Sequence, residues 1–207
     1  MRYACRMRGL PYQQFSLPTI EHNNKLPVVL NASEVRALLK ACDLLKHRLL
    51  IGLAYGCGLR CAEVRTLKVA DVDTQRAMVH VRQGKGNKDR LLPMGTMLAR
   101  GIASYIAADK PRTYLFEGND GNAYSQRGAQ WAIAQAVKKA TIIKDVSLHT
   151  LRHTYATHHL EQGVNIITIK DLLGHAHIDT TMMYLHLARP SAIVAFSPLD
   201  TLYNRSK

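Results

Sequence analysis

The sequence predicts a mainly α-helical chain with a small antiparallel β-sheet, an α+β architecture. Three observations predict it. Apolar residues recur at helical spacing through most of the chain from residue 31 to 184. That pattern breaks once, at AMVHVR and DRLLPM, where two short strand-like runs flank the turn QGKGNK. The chain has 207 residues, 47% of them hydrophobic, enough for one substantial core and too many for a disordered polycation.

The elements follow in order. Pro11, Pro18 and Pro27 break any long helix near the start, and EHNNK is polar, so this part reads as a connector. A helix begins after Asn31, with Glu34 three residues on in a capping-box arrangement. Val35, Leu38, Leu39 and Cys42 form its apolar stripe. HRLLIGLAYGCG is a second helix, apolar almost throughout and therefore buried, and Gly56 and Gly58 end it. CAEVRTL is a short third helix directly after Arg60. The two strands come next, with Lys85 and Lys88 at or near the tip of their turn. A helix over 95–108, the apolar piece YLFE, and an amphipathic helix over 125–140 carrying Trp131 follow. Residues 147–184 form three helix-like pieces separated by Gly163 and Gly174. Pattern is lost beyond Tyr184, where Pro190 and Pro198 flank AIVAF.

Charge narrows the partner. Lys and Arg number 28 against 15 Asp and Glu, a formal net charge of +13, which favours a polyanion, nucleic acid first. No apolar run approaches the roughly 20 residues of a membrane span, and no apolar signal core follows Arg2, Arg6 and Arg8. Cys5, Cys42, Cys57 and Cys61 form no C-x-x-C pair and read as thiols in a reducing cytoplasm. His149 and His153 are four apart, but no H-E-x-x-H pattern accompanies them. GKGNK lacks the full G-x-x-x-x-G-K-[ST] pattern, so no nucleotide site is expected there.

Chemistry concentrates in residues 147–184. His149 and Arg152 are three apart and share a helix face, His175 follows Gly174, and Tyr184 lies nine residues later. Arginine forks onto phosphate oxygens, histidine shares protons, and tyrosine can act as a nucleophile. Any one of these residues alone is more often packed or exposed than catalytic.

Four ordered segments resemble the catalytic domain of tyrosine recombinases, the phage-integrase and Xer-like family. GCGLRCAEVRTL resembles the segment carrying the first active-site arginine, here Arg60. GKGNKDRLLP resembles the hairpin carrying the catalytic lysine, here Lys85. SLHTLRHTYATHHLEQG resembles the H-x-x-R box, giving His149 and Arg152. LLGHAHIDTTMMYLHLA resembles the closing box, giving His175 and the nucleophile Tyr184. The resemblance covers residues 27–188, which it marks as the catalytic domain with the fold of that family. It makes 1–26 the linker and remnant of a core-binding domain. It makes 189–207 a C-terminal tail exchanged between protomers. Family members usually carry a further N-terminal helical domain, for which this chain has no room, so it reads as a truncated form or as a naturally short member comparable to the single-domain invertases.

The resemblance implies a site-specific recombinase that cuts and rejoins double-stranded DNA through a covalent 3′-phosphotyrosyl link. It implies no metal, cofactor or ATP, a tetramer on two DNA sites, accessory DNA-bending proteins, and a cytoplasmic, nucleoid-associated location. Arg60 and Arg152 then hold the non-bridging phosphate oxygens, Lys85 protonates the departing 5′-hydroxyl, and His149 and His175 bond the phosphate and help remove the tyrosine proton. Rival assignments remain. Lys88 stands closest to Lys85, Arg65 and Arg90 are other cations, and Tyr203 is a second phenol. Glu63 reads as structural, pairing with a nearby arginine. His153 and Tyr155 read as packing residues. A type IB topoisomerase and a non-catalytic DNA-binding protein are the competing functions.

Overall fold

The computed structural model describes residues 27–82 and 89–188. Helix α1, Ala32–Lys40, starts at its expected cap. Asn31 accepts the Glu34 N–H at 2.9 Å, and Glu34 accepts the Asn31 N–H at 2.7 Å. This satisfies two backbone donors that a helix start leaves without partners. Val35, Leu38 and Cys42 are buried, and Leu39 packs at the edge of the core.

Helix α2, Leu45–Gly56, is the centre of the fold. Leu49, Leu50, Ile51, Leu53 and Ala54 are all buried, which a helix achieves only when covered on several sides. Its neighbours are α1, α3 (Cys61–Thr66), α4 (Thr96–Asp109), α5 (Gln126–Lys139) and α6 (Leu148–Glu161). It starts two residues before the expected HRLLIGLAYGCG segment and stops at Gly56. The reversal is completed at Gly58, whose φ of +62° is left-handed. A Cβ there would stand 2.6 Å from the Tyr155 ring, so glycine is required twice over.

Strands β1 (Val72–Asp73), β2 (Met78–Val81) and β3 (Arg90–Pro93) form one antiparallel sheet in sequence order. In the β2–β3 pair Val81 faces Arg90 and Val79 faces Leu92. Val79, Val81 and Leu92 are buried, so one face of the hairpin covers the core. β1 was not expected from the sequence, since two residues show no periodicity. Residues 83–88, the hairpin turn with Lys85 and Lys88, lie outside the described residues. So do 1–26 and 189–207, the expected linker and tail.

Leu115 and Phe116 of the YLFE piece are fully buried, and Leu115 N–H bonds the Leu67 carbonyl at 2.7 Å. Helix α5 presents Ala129, Ala132, Ile133 and Ala136 inward, while Trp131 is 56% exposed. Helix α6 is buried around most of its circumference, including Arg152 and Thr150, Thr154 and Thr157. The Thr154 hydroxyl bonds the Thr150 carbonyl and accepts the Leu30 N–H, tying the entering chain to α6. Helix α7, Ile166–Leu173, ends at Gly174, again left-handed at φ +64°. Helix α8, Asp179–Met182, runs into a 3₁₀ turn, Met183–His186, that carries Tyr184.

Two cores result. The main one surrounds α2, and a smaller one joins Tyr155, Ala156, Ile169, Leu173 and Tyr184. Tyr155 is thus a packing residue, as expected. Helix α6 contributes to both cores. Among the described residues no helix is long and apolar enough to cross a membrane.

Candidate active site

The site is built on a carboxylate holding guanidiniums. Glu63, on α3, has a side chain only 9% exposed. It accepts Arg60 N–H at 2.9 Å and Arg60 Nη1 at 2.8 Å. Arg90, from β3, grips both of its oxygens at 2.7 and 3.1 Å and also donates through Nε to the Leu172 carbonyl at 3.0 Å. Burial pushes the Glu63 pKa up, but hydrogen bonds from Arg90 and Arg60, with their charges, outweigh it and hold the carboxyl below its ordinary value. The expected pairing of Glu63 with an arginine is present twice, and Arg90 serves the carboxylate.

Arg152 is 1% exposed. Its Nη1 donates to the Gly58 carbonyl and its Nη2 to the Leu173 carbonyl, both at 2.6 Å. These carbonyls lie just past the end of α2 and at the end of α7. The Leu173 oxygen belongs to the last residue of α7, and a helix C-terminus leaves such oxygens unpaired and carries partial negative charge, which suits a buried cation. Glu63 stands 3.9 Å away. Burial, then the like charge of Arg60, pulls the Arg152 pKa down to about 10, with Glu63 opposing, so the group is cationic at neutral pH. Arg60 Nη2 reaches the Gly174 carbonyl at 3.5 Å, beside His175.

Tyr184 lies against this platform, 2% exposed. Burial raises its pKa, with Arg152 and Arg60 pulling the other way. The His175 ring stacks on it at 6.5 Å and 14°, and His175 Nδ1 meets Thr181 Oγ1 at 2.9 Å. Burial, followed by the charges of Arg152, Arg60 and Arg90, takes the His175 pKa down to about 4. His149 sits at the exposed start of α6. Burial of its ring, then Arg152 and Arg60, lowers its pKa. Arg60, His149, Arg152, His175 and Tyr184 therefore meet in one place. Lys85, expected to join them, lies outside the described residues.

His153 is the residue that the sequence misplaced. Expected as packing, its Nδ1 stands 2.9 Å from the Tyr184 hydroxyl oxygen. Its ring lies 4.3 Å from that of His149 in edge geometry. The i, i+4 spacing of the two histidines was the available signal, since it puts both on one face of α6. His149 and Arg152, by contrast, share that side unequally, one exposed and the other buried. Among the described residues no group of three or more His, Cys, Asp or Glu side chains is placed to hold a metal. Cys42 and Cys57 are buried free thiols, and burial pushes Cys57 up to about 12.

Guanidiniums fixed beside a buried phenol and three imidazoles are a set of groups that can bind an anion and supply a nucleophile. A sequence model of the phage integrase family matches residues 28–190. The chain belongs to the phage integrase family. Among its relatives, a tyrosine recombinase of Thermosipho africanus is 36% identical over 86% of this chain and 63% of that protein. Tyrosine recombinase XerA of Pyrococcus horikoshii is 35% identical over 86% of this chain and 64% of its own length. The chain spans less than two thirds of either relative. A crystal structure of XerA recombinase superposes with a TM-score of 0.75 at 31% identity, covering 88% of this chain and 67% of that one. The catalytic domain of bacteriophage HP1 integrase superposes with a TM-score of 0.65 at 27% identity, covering 87% of this chain and 99% of that domain. A DNA-bound XerH recombinase shares the fold at a TM-score of 0.73 and 23% identity.

Proposed function

We propose that residues 27–188 are the catalytic domain of a site-specific recombinase that cuts and rejoins double-stranded DNA through a 3′-phosphotyrosyl link. The observation that carries this reading is the buried Tyr184 phenol beside the Arg60 and Arg152 guanidiniums, in a chain of the phage integrase family. In the reaction the Tyr184 oxygen attacks phosphorus and the bond to the 5′-oxygen breaks. Charge gathers on the two non-bridging oxygens, which Arg60 and Arg152 bind. Both are held by Glu63 or by backbone carbonyls, so little reorganisation is needed when the charge develops. His149 and His175 bond the same phosphate. Lys85 delivers a proton to the departing 5′-hydroxyl. The phosphotyrosyl ester retains the bond energy, so a second 5′-hydroxyl reverses the step without ATP.

Four protomers on two DNA sites, exchange of residues 189–207 between them, accessory DNA-bending proteins and a cytoplasmic location at the nucleoid complete the reading. Residues 1–26 are the linker from a core-binding domain. Support for a DNA partner comes from the +13 charge and from the XerH relative, which is bound to its difH substrate.

The test uses nicked duplexes tiled across the DNA flanking the gene. A strand trapped after cleavage stays attached to the protein and shifts its mobility. Wild-type chain forms the adduct, and Tyr184→Phe forms none while retaining its DNA affinity. An adduct formed by Tyr184→Phe overturns the assignment and makes Tyr203 the next nucleophile to test.

A further inference from the structure

We propose that His153 is the group that receives the Tyr184 proton when the phenol attacks. This rests on the reading of Tyr184 as nucleophile and assigns to a further residue the proton removal that the family resemblance gave to His149 and His175. The argument begins with hydrogen-bond accounting. A phenol buried to 2% must place its O–H on an acceptor. Among the described residues the hydrogen bond of Tyr184 is to His153 Nδ1, at 2.9 Å. The other two imidazoles are differently disposed. His175 lies nearly parallel to the Tyr184 ring, with centroids 6.5 Å apart, and spends its Nδ1 on Thr181. His149 faces the His153 ring edge-on from the exposed end of α6.

The protonation state agrees with the geometry. His153 is flanked by His149 and Arg152 on its own helix, by Tyr184 on the 3₁₀ turn, and by His175 after α7. Burial, then His149 and Arg152, takes its pKa down to about 4, so the ring is neutral at pH 7. A neutral ring with its proton on Nε2 leaves Nδ1 as an acceptor. An incoming phosphodiester brings negative charge to the site and raises the basicity of that nitrogen as it is needed.

The step balances. The phenolic O–H bond breaks and its proton passes to Nδ1. The freed electron pair forms the bond from oxygen to phosphorus. The bond from phosphorus to the 5′-oxygen breaks, and that oxygen leaves with a proton from Lys85. Religation returns the His153 proton to the phenol.

The experiment measures first-turnover adduct formation on a nicked duplex for wild type, His153→Ala and His153→Asn, each with Tyr or trifluorotyrosine at position 184. Both variants are expected to slow cleavage by about a hundredfold or more at pH 7. Their rates should rise with pH where the wild type is flat, because the phenol must then ionise unaided. Trifluorotyrosine, a stronger acid, should restore most of the rate to the variants and little to the wild type. Asparagine accepts a hydrogen bond but takes no proton, so a wild-type rate in His153→Asn overturns the proposal. So does a His153→Ala chain that cleaves as fast as wild type or faster, which would make the contact a resting-state tie. So does a slow variant with unchanged pH profile and no trifluorotyrosine rescue, which would make His153 a packing residue. All of these presuppose an adduct on Tyr184. An adduct that survives Tyr184→Phe instead removes the parent reading.

Discussion

Glu63→Gln is the sharpest probe of how the site is held. The carboxylate accepts four hydrogen bonds, two from Arg60 and two from Arg90, and lies 3.9 Å from Arg152. Glutamine keeps the size and one acceptor oxygen but turns an N–H₂ group toward guanidiniums. Removing one partner of a buried ion pair costs about 3–5 kcal/mol, because the remaining charges lose their compensation. At a urea m-value of about 2 kcal/mol/M, the unfolding midpoint at pH 7 should drop by about 1.5–2.5 M.

A second limb separates charge from packing. Glu63→Gln with Arg90→Gln should cost less than the sum of the singles by about 2 kcal/mol, since the second change removes an uncompensated cation. The pH dependence has a definite sign. The folded carboxyl titrates below its unfolded value, so its stabilisation is complete above about pH 4.3 and is lost as pH falls through the folded pKa. The gap between wild type and Glu63→Gln should therefore close in acid. A loss under about 1 kcal/mol at pH 7, or additive double-mutant costs, would refute the account of Glu63 as the anchor.

Three further outcomes are expected. Gly58→Ala forces a left-handed alanine against the Tyr155 ring, 2.6 Å away, and should cost about 2–5 kcal/mol, read as a lowered melting temperature. It should also slow cleavage, because the Gly58 carbonyl holds Arg152. Lys85→Ala should slow cleavage by about 10²–10⁴-fold, and sulfur in place of the 5′-oxygen should restore it, since a thiolate leaves without a proton. No rescue would make Lys85 a phosphate contact. DNA affinity should fall steeply and linearly in log–log form with salt, and a flat titration would contradict backbone charge as its source.

What the sequence determined by itself is what local bonding and periodicity decide. The Asn31–Glu34 capping box closes within four residues, so it is readable without any fold. The same holds for the strands flanking QGKGNK and for the amphipathic pattern of α5. The ordered boxes also named Arg60, His149, Arg152, His175 and Tyr184, which converge, because each box keeps its own local spacing. Only the tertiary structure decided what those residues touch. Arg152 finds the Gly58 carbonyl 94 positions away and Leu173 at 21, and neither partner is marked by its side chain, since both bonds go to backbone oxygen. Arg90 looked like a spare cation until β3 laid it across Glu63, 27 residues distant. His153 looked like packing until the 3₁₀ turn brought Tyr184 back over α6, 31 residues on. β1 exists only because β2 pairs with it. In each case the deciding bond is non-local. Chain folding brings its two ends together, and neither end carries a pattern that names the other.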